Sequence, residues 1–169
     1  PAPLEDACRF IEAFGAPVPV VGDSAGGHLA LTLARKMPQA VSALALISPN
    51  TDRTGLSTTR GTDADAMNDD EQDRALWETA MPDTAPDDPD ASPVTADLTG
   101  LPPVFVTAAV NEVLLDDTLL LIRALGRAGV PVSAGIIPPL FHMWTLWPEE
   151  LAQARATMSR ISQFLGHAA

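Results

Sequence analysis

The sequence predicts an α/β domain: a parallel sheet flanked by helices. Three observations carry this expectation, namely four short apolar runs, helical-period segments alternating with them, and a length of 169 residues that suits one domain. Leu4, Ala7, Cys8, Ile11 and Phe14 recur at helical spacing, with Gly15 as the stop. Cys8 lies on that stripe and reads as core. Val18 to Val21 is a short apolar run with Pro19 near its start, the pattern of a strand buried in a parallel sheet. Ser24 to Met37 turns helical, with Leu29, Leu33 and Met37 on one stripe, basic residues in the last turn and Pro38 beyond. Val41 to Ile47 is the second strand.

From Ser48 to Pro103 the rhythm breaks. The segment is rich in Asp, Thr, Pro and Gly and carries one convincing helix, around Asp70 to Met81. Eleven of the 22 acidic side chains fall between residues 63 and 90, against the single base Arg74. Residues 50–100 therefore read as a solvated cap-side insertion, or as a lid over a site. Alternation then resumes with a strand from Val104 to Ala109, a helix from Asp117 to Ala128 stopped by Gly129, and a strand from Val130 to Ile137. A last helix is expected after Pro148, with Glu149 and Glu150 in its first turn and Leu151, Ala154, Met158, Ile161 and Leu165 facing inward.

Composition narrows the function. A net charge of −12 disfavours nucleic-acid backbones and anionic membranes as partners. No apolar run approaches the roughly 18 residues of a membrane span, and no signal-like series is visible. One cysteine excludes an internal disulfide framework. Together these point to the cytoplasm. The three histidines and one cysteine show no metal-ligand spacing, so neither metal nor cofactor is expected.

The sharpest chemical signal is Gly22-Asp23-Ser24-Ala25-Gly26-Gly27, between the first strand and its helix. In a Gly-x-Ser-x-Gly turn the small neighbours let the backbone bend and leave the serine hydroxyl exposed. Ser24 is the candidate nucleophile, and the amide of Ala25 a candidate oxyanion donor. Of the histidines, His28 lies within the same helix and reads as structural, and His167 in the tail reads as surface. His142 follows the last strand at the carboxyl edge of the sheet, the same edge as Ser24, and is the candidate base. The loop after the preceding strand offers Glu112, Asp116 and Asp117. Glu112 stands closest to the strand end and is preferred as the orienting acid. Asp116 comes second, with helix capping as the structural reading of both aspartates. The order Ser, acid, His is that of α/β-hydrolases.

At these residues the chain resembles the C-terminal part of a hormone-sensitive-lipase-like carboxylesterase of the α/β-hydrolase superfamily. Gly22 to Gly27 looks like that family's GDSAGG motif, Ser48-Pro49 with Asp52 its SPxxD-type turn, and Leu101-Pro102-Pro103 the approach to its acid-bearing strand. Glu112 to Asp116 resembles the acid motif, where many members carry Asp in place of Glu112, and Phe141-His142-Met143-Trp144 the histidine loop. The likeness runs in order along nearly the whole chain. It implies a serine esterase that cleaves small acyl esters through an acyl-enzyme, with Ser24, Glu112 and His142 as nucleophile, acid and base.

The family's His-Gly-Gly-Gly oxyanion run does not occur in the 169 residues. Nor do segments resembling the family's N-terminal cap helices and early strands. The expectation is therefore the C-terminal portion of one hydrolase domain, truncated at the N-terminus, with Pro1 as a break and the first strand as an open edge. Such an edge leaves homo-oligomerisation open. A non-catalytic ligand-binding protein on the same scaffold and an inactive hydrolase fragment are the competing readings; the retained His142 weighs against the first. Trp144 and Trp147, beside the base, read as core packing or as pocket walls.

Overall fold

The computed structural model describes residues 2–167, the side chains of Ala2 and His167 excepted; Pro1 and the expected surface position of the His167 side chain lie outside the described residues. Helix α1 (Ala2–Glu12) leads into strand β1 (Val18–Asp23), helix α2 (Ala25–Lys36) and strand β2 (Val41–Ile47). Helix α3 (Asp70–Ala80) stands alone in the long middle segment. Strand β3 (Val104–Ala109), helix α4 (Leu115–Arg127), strand β4 (Val132–Ile137) and helix α5 (Ala152–His167) complete the order.

The four strands pair in sequence order, β1-β2-β3-β4, and every pair is parallel. Strand periodicity divides their side chains between two cores. Leu44 and Leu46 of β2 with Val104 and Val106 of β3 face a cluster built with Leu4 and Ile11 of α1, Leu31 and Ala34 of α2, and Leu121 and Leu125 of α4. Ala45 and Ile47, with Phe105 and Ala109, face the opposite way onto Trp144, Ala154 and Ile161. Helices α1, α2 and α4 thus cover one face of the sheet and α5 the other. β2 and β3 are accordingly buried along almost their whole length. β1, hydrogen-bonded only to β2 among the described residues, is only partly covered, and Val21 is 49 % exposed.

Three expectations need correction. Phe14 lies beyond α1, which ends at Glu12, and is exposed. Helix α5 begins at Ala152, so Glu149 and Glu150 precede it instead of forming its first turn. Its inward face is Ala154, Thr157 and Ile161, while Met158 is exposed. With Phe105 of β3 and Trp144 of the loop after β4 already filling this side of the sheet, the small residues of the helix approach more closely than the long thioether could. The stripe on α2 is also broader than its leucine spacing implies. Leu31 is fully buried and Leu29 only half, because α2 is packed by α1 as well as by the sheet.

Trp144 is fully buried in the second core, so of the two tryptophans beside His142 it is a packing residue. Trp147 is half-buried and edge-on to Phe141. Among the described residues no helix is long and apolar enough to cross a membrane.

Candidate active site

Each of the four strands delivers one residue to the carboxyl edge of the sheet. Just past the strand ends the chain keeps bonding sideways: Ser24 N–H donates to Ile47 O at 2.9 Å, Ser48 N–H to Thr107 O at 2.7 Å, and Val110 N–H to Ile137 O at 3.1 Å. The four loops are therefore anchored to one another where they leave the carboxyl edge of the sheet.

Ser24 occupies the sharp bend between β1 and α2, with φ 54° and ψ −119°. A residue with a β-carbon is strained in this region, and strain of this kind is kept where surrounding structure fixes it. The fixing is visible. A Cβ on Gly22 would collide with the Gly26 carbonyl, and one on Gly27 would stand 2.8 Å from the Pro49 Cβ. Two glycines let the turn close beneath the serine and against the neighbouring loop. Gly22→Ala is expected to open this turn, costing both stability and reaction at Ser24, which a melting curve and an organophosphate-labelling rate would read together.

The three side chains singled out by spacing meet in one hydrogen-bonded chain. His142 Nε2 lies 2.9 Å from Ser24 Oγ, and His142 Nδ1 lies 2.9 Å from Glu112 Oε2. Glu112 is fully buried and His142 nearly so. The other oxygen of Glu112 accepts from the Ala109 amide at 2.7 Å and from Ser48 Oγ at 2.9 Å. With both oxygens occupied, the carboxylate is fixed in orientation, and its bond to Nδ1 leaves Nε2 free to accept from the serine. Burial works against an imidazolium here. The hydrogen bond and charge of Glu112, with the charges of Asp23 and Asp65, more than offset it and hold His142 above its ordinary value.

Asp116 and Asp117 lie in the first turn of α4, as expected, but neither caps the helix, and Glu112 takes the place beside His142 for which Asp116 was the second candidate. Leu114 occupies the N-cap of α4, and no side chain caps it. Asp116 accepts from the amide and hydroxyl of Thr58. Asp117, fully buried, accepts from the amides of Thr51 and Asp52 and from Arg60 at 2.7 Å. Burial holds Asp117 above the usual carboxylate range although Arg60 and both amides pull the other way. Arg60 continues to Asp73 at 2.7 Å and Asn50 at 2.8 Å, and Arg53 also reaches Asp73. This polar network fastens the segment after β2, and with it helix α3, to the start of α4.

The His28 ring makes no hydrogen bond to the side chains of Ser24, Glu112 or His142. Its ring nitrogens face the carbonyls of Asn50 and Asp90 at 3.0 and 2.8 Å, bridging the two ends of the middle segment. Ala25 is the first residue of α2, and first-turn amides of a helix have no acceptor within the helix. Its N–H sits beside the serine hydroxyl in sequence, at the positive end of the helix dipole.

Two residues at this edge escaped the sequence reading. Ser48, buried and itself at φ 44°, supports Glu112, a contact that the Ser48-Pro49 turn pattern does not reveal. Asp65 is one of the eleven acidic residues between 63 and 90, and no local pattern sets it apart from the other ten. Among the described residues no group of three or more His, Cys, Asp or Glu could hold a metal ion.

Comparison with known proteins follows the same lines. The sequence model of the α/β-hydrolase fold matches residues 3–146. An acetyl-hydrolase of Streptomyces hygroscopicus is 34 % identical over 98 % of this chain and 59 % of its own, and an esterase of Acinetobacter venetianus is 32 % identical over 86 % and 52 %. The crystal structure of an esterase from the bacterial hormone-sensitive lipase family superposes with a TM-score of 0.86 at 32 % identity, covering 99 % of this chain and 61 % of that one. The chain spans 59 % and 52 % of the length of the acetyl-hydrolase and the Acinetobacter venetianus esterase. The fold, the order of the loops along the sheet edge and the sequence match agree: this chain belongs to the α/β-hydrolase fold family, and its likeness is to the hormone-sensitive-lipase-like esterases.

Proposed function

We propose that the protein is a serine carboxylesterase acting on small acyl esters through an acyl-enzyme. The observation that carries this reading is the continuous chain Ser24 Oγ, His142, Glu112, with 2.9 Å at each link and the acid wholly buried. His142 Nε2 takes the proton as Ser24 Oγ attacks the ester carbonyl. Glu112 holds the ring orientation and stabilises the imidazolium, which then protonates the departing alcohol. Water repeats the sequence on the acyl-serine and regenerates the hydroxyl. The Ala25 amide supplies one hydrogen bond to the carbonyl oxygen as it gains charge. Residues 50–100 form the cap side of the site, fastened by the Arg60 network.

The names of the relatives, acetyl-hydrolase and esterase among them, support ester bonds as the substrate class. No cofactor enters the scheme.

The test is covalent trapping. Diethyl p-nitrophenyl phosphate should add one diethylphosphoryl group, with release of p-nitrophenol, and peptide mass mapping should find it on Ser24. Modification elsewhere with Ser24 untouched would overturn the reading.

A further inference from the structure

The loop that carries Glu112 and the loop that carries His142 leave neighbouring strands and are joined at their bases by the Val110 N–H bond to Ile137 O. Farther from the sheet a third segment bonds the backbones of both. Residues 58–65 run alongside the acid loop: Thr59 Oγ1 donates to Val113 O at 3.0 Å and accepts from Asp116 N–H at 3.0 Å. At the end of this run stands Asp65, half-buried. Its Oδ2 accepts from the Val113 amide at 3.2 Å, directly after Glu112. Its Oδ1 accepts from the amide of His142 itself at 3.0 Å, and from Met67 N–H at 3.1 Å in its own turn.

We propose that Asp65 is a positioning residue, clasping the acid loop and the histidine loop with one carboxylate oxygen on each backbone and so keeping Glu112 and His142 in hydrogen-bonding register. The proposal rests on the functional reading above, because register matters only if this pair works on Ser24. The chemistry of the clasp is specific. A carboxylate is the short side chain with two acceptor oxygens and no donor, which is what two converging N–H groups require. A charged acceptor also makes the stronger bond. Asp65 has a second effect at the same place. The charged groups acting on the His142 ring are Glu112, Asp23 and Asp65, all negative and all favouring the imidazolium.

The experiment is a comparison of Asp65→Asn with the native protein on p-nitrophenyl acetate, each rate normalised to serines titrated with organophosphate. Asn keeps the shape but turns one acceptor into a donor, so one of the two loop amides loses its partner. The expected result is a fall in kcat of about tenfold with KM changed less than twofold, since a displaced ring costs rate more than it costs substrate binding. The acid limb of kcat/KM should move to lower pH, because losing the Asp65 charge makes His142 give up its proton more readily. Asp65→Glu, which keeps both oxygens and the charge, should recover part of kcat and all of the pH shift. Thr59→Val removes the neighbouring bonds to the acid loop only; it should lower the melting temperature and leave the acid limb in place. Asp65→Asn with kcat within twofold of native and an unmoved acid limb would overturn the clasp, as would a Thr59→Val profile that shifts as far. Ser24→Ala separates the two levels. If it still turns over ester, the functional reading falls; if it is silent while Asp65→Asn runs at the native rate, only the clasp falls.

Discussion

Ser24→Ala is expected to lower kcat for small esters by on the order of 10⁴- to 10⁶-fold, down to the residual contribution of binding and oxyanion contacts, with KM nearly unchanged. The fold should survive. Ser24 Oγ has one partner, His142 Nε2, and alanine keeps the β-carbon at the same strained φ of 54°. Ser24→Gly makes a sharper comparison. It loses the same hydroxyl but also removes the β-carbon that resists this backbone region, so it should be more stable than the alanine variant by about 1 kcal/mol. A denaturant titration of the two variants beside their ester kinetics would read both effects. A stabilised, inactive glycine variant would show that the turn is held against its own preference to present the hydroxyl. Equal stability of the two would mean that the turn stores no such strain.

Glu112→Ala should damage stability and reaction together. The carboxylate is fully buried and accepts from the Ala109 amide and the Ser48 hydroxyl, besides facing His142 Nδ1. Truncation leaves these donors unpaired in a closed site, where each orphaned group costs about 1–3 kcal/mol, so a loss of several kcal/mol in unfolding free energy is expected. Glu112→Gln refills the volume and should recover much of the stability. It should not recover the rate, because an amide no longer fixes the tautomer with Nε2 as acceptor; kcat is expected to fall on the order of 10⁴-fold.

The pH profile adds a sign. His142 must be neutral to accept the Ser24 proton, so kcat/KM falls as pH drops through its pKa, which lies above the ordinary 6.5. Removing the Glu112 charge favours the neutral ring, so the acid limb of the residual activity in Glu112→Gln should move to lower pH. An unmoved limb would show that another group titrates there.

How much of this was legible in the chain depends on the range of the interactions involved. The strands were readable because β2 and β3 lie inside the sheet and must be apolar on both faces, which leaves continuous runs such as Val41 to Ile47. The turn around Ser24 was readable because its glycines are required locally. Gly22 meets Gly26, four residues on. Glu112 and His142 could be singled out because chain order and distance from the strand end restrict which residues reach the carboxyl edge. Even the start of α5 was misread for a local reason: Pro148 and two glutamates imitate a helix N-terminus, whereas the helix begins at Ala152.

What the sequence could not disclose is which polar residues of the middle segment are buried and whom they meet. Asp65, Asp70 and Asp73 look alike in a run of acidic residues. Yet Asp73 is buried against Arg53 and Arg60, which overcome its desolvation and hold it below the usual carboxylate range. Asp116 and Asp117 stand where helix caps belong, but their partners lie 57 to 66 residues away in the chain. Sequence by itself determined the alternating α/β order and singled out Ser24 and His142, because periodicity, glycine turns and strand ends are short-range constraints. Between Glu112 and Asp116 it gave only a preference, and the contact of Glu112 with His142 Nδ1 decided. Only the tertiary structure decided that Ser48 braces Glu112, that Asp65 spans two loops and that Arg60 is buried among carboxylates. A buried charge or hydroxyl is tolerated only with a partner in place, and that partner comes from a distant segment which no local pattern encodes.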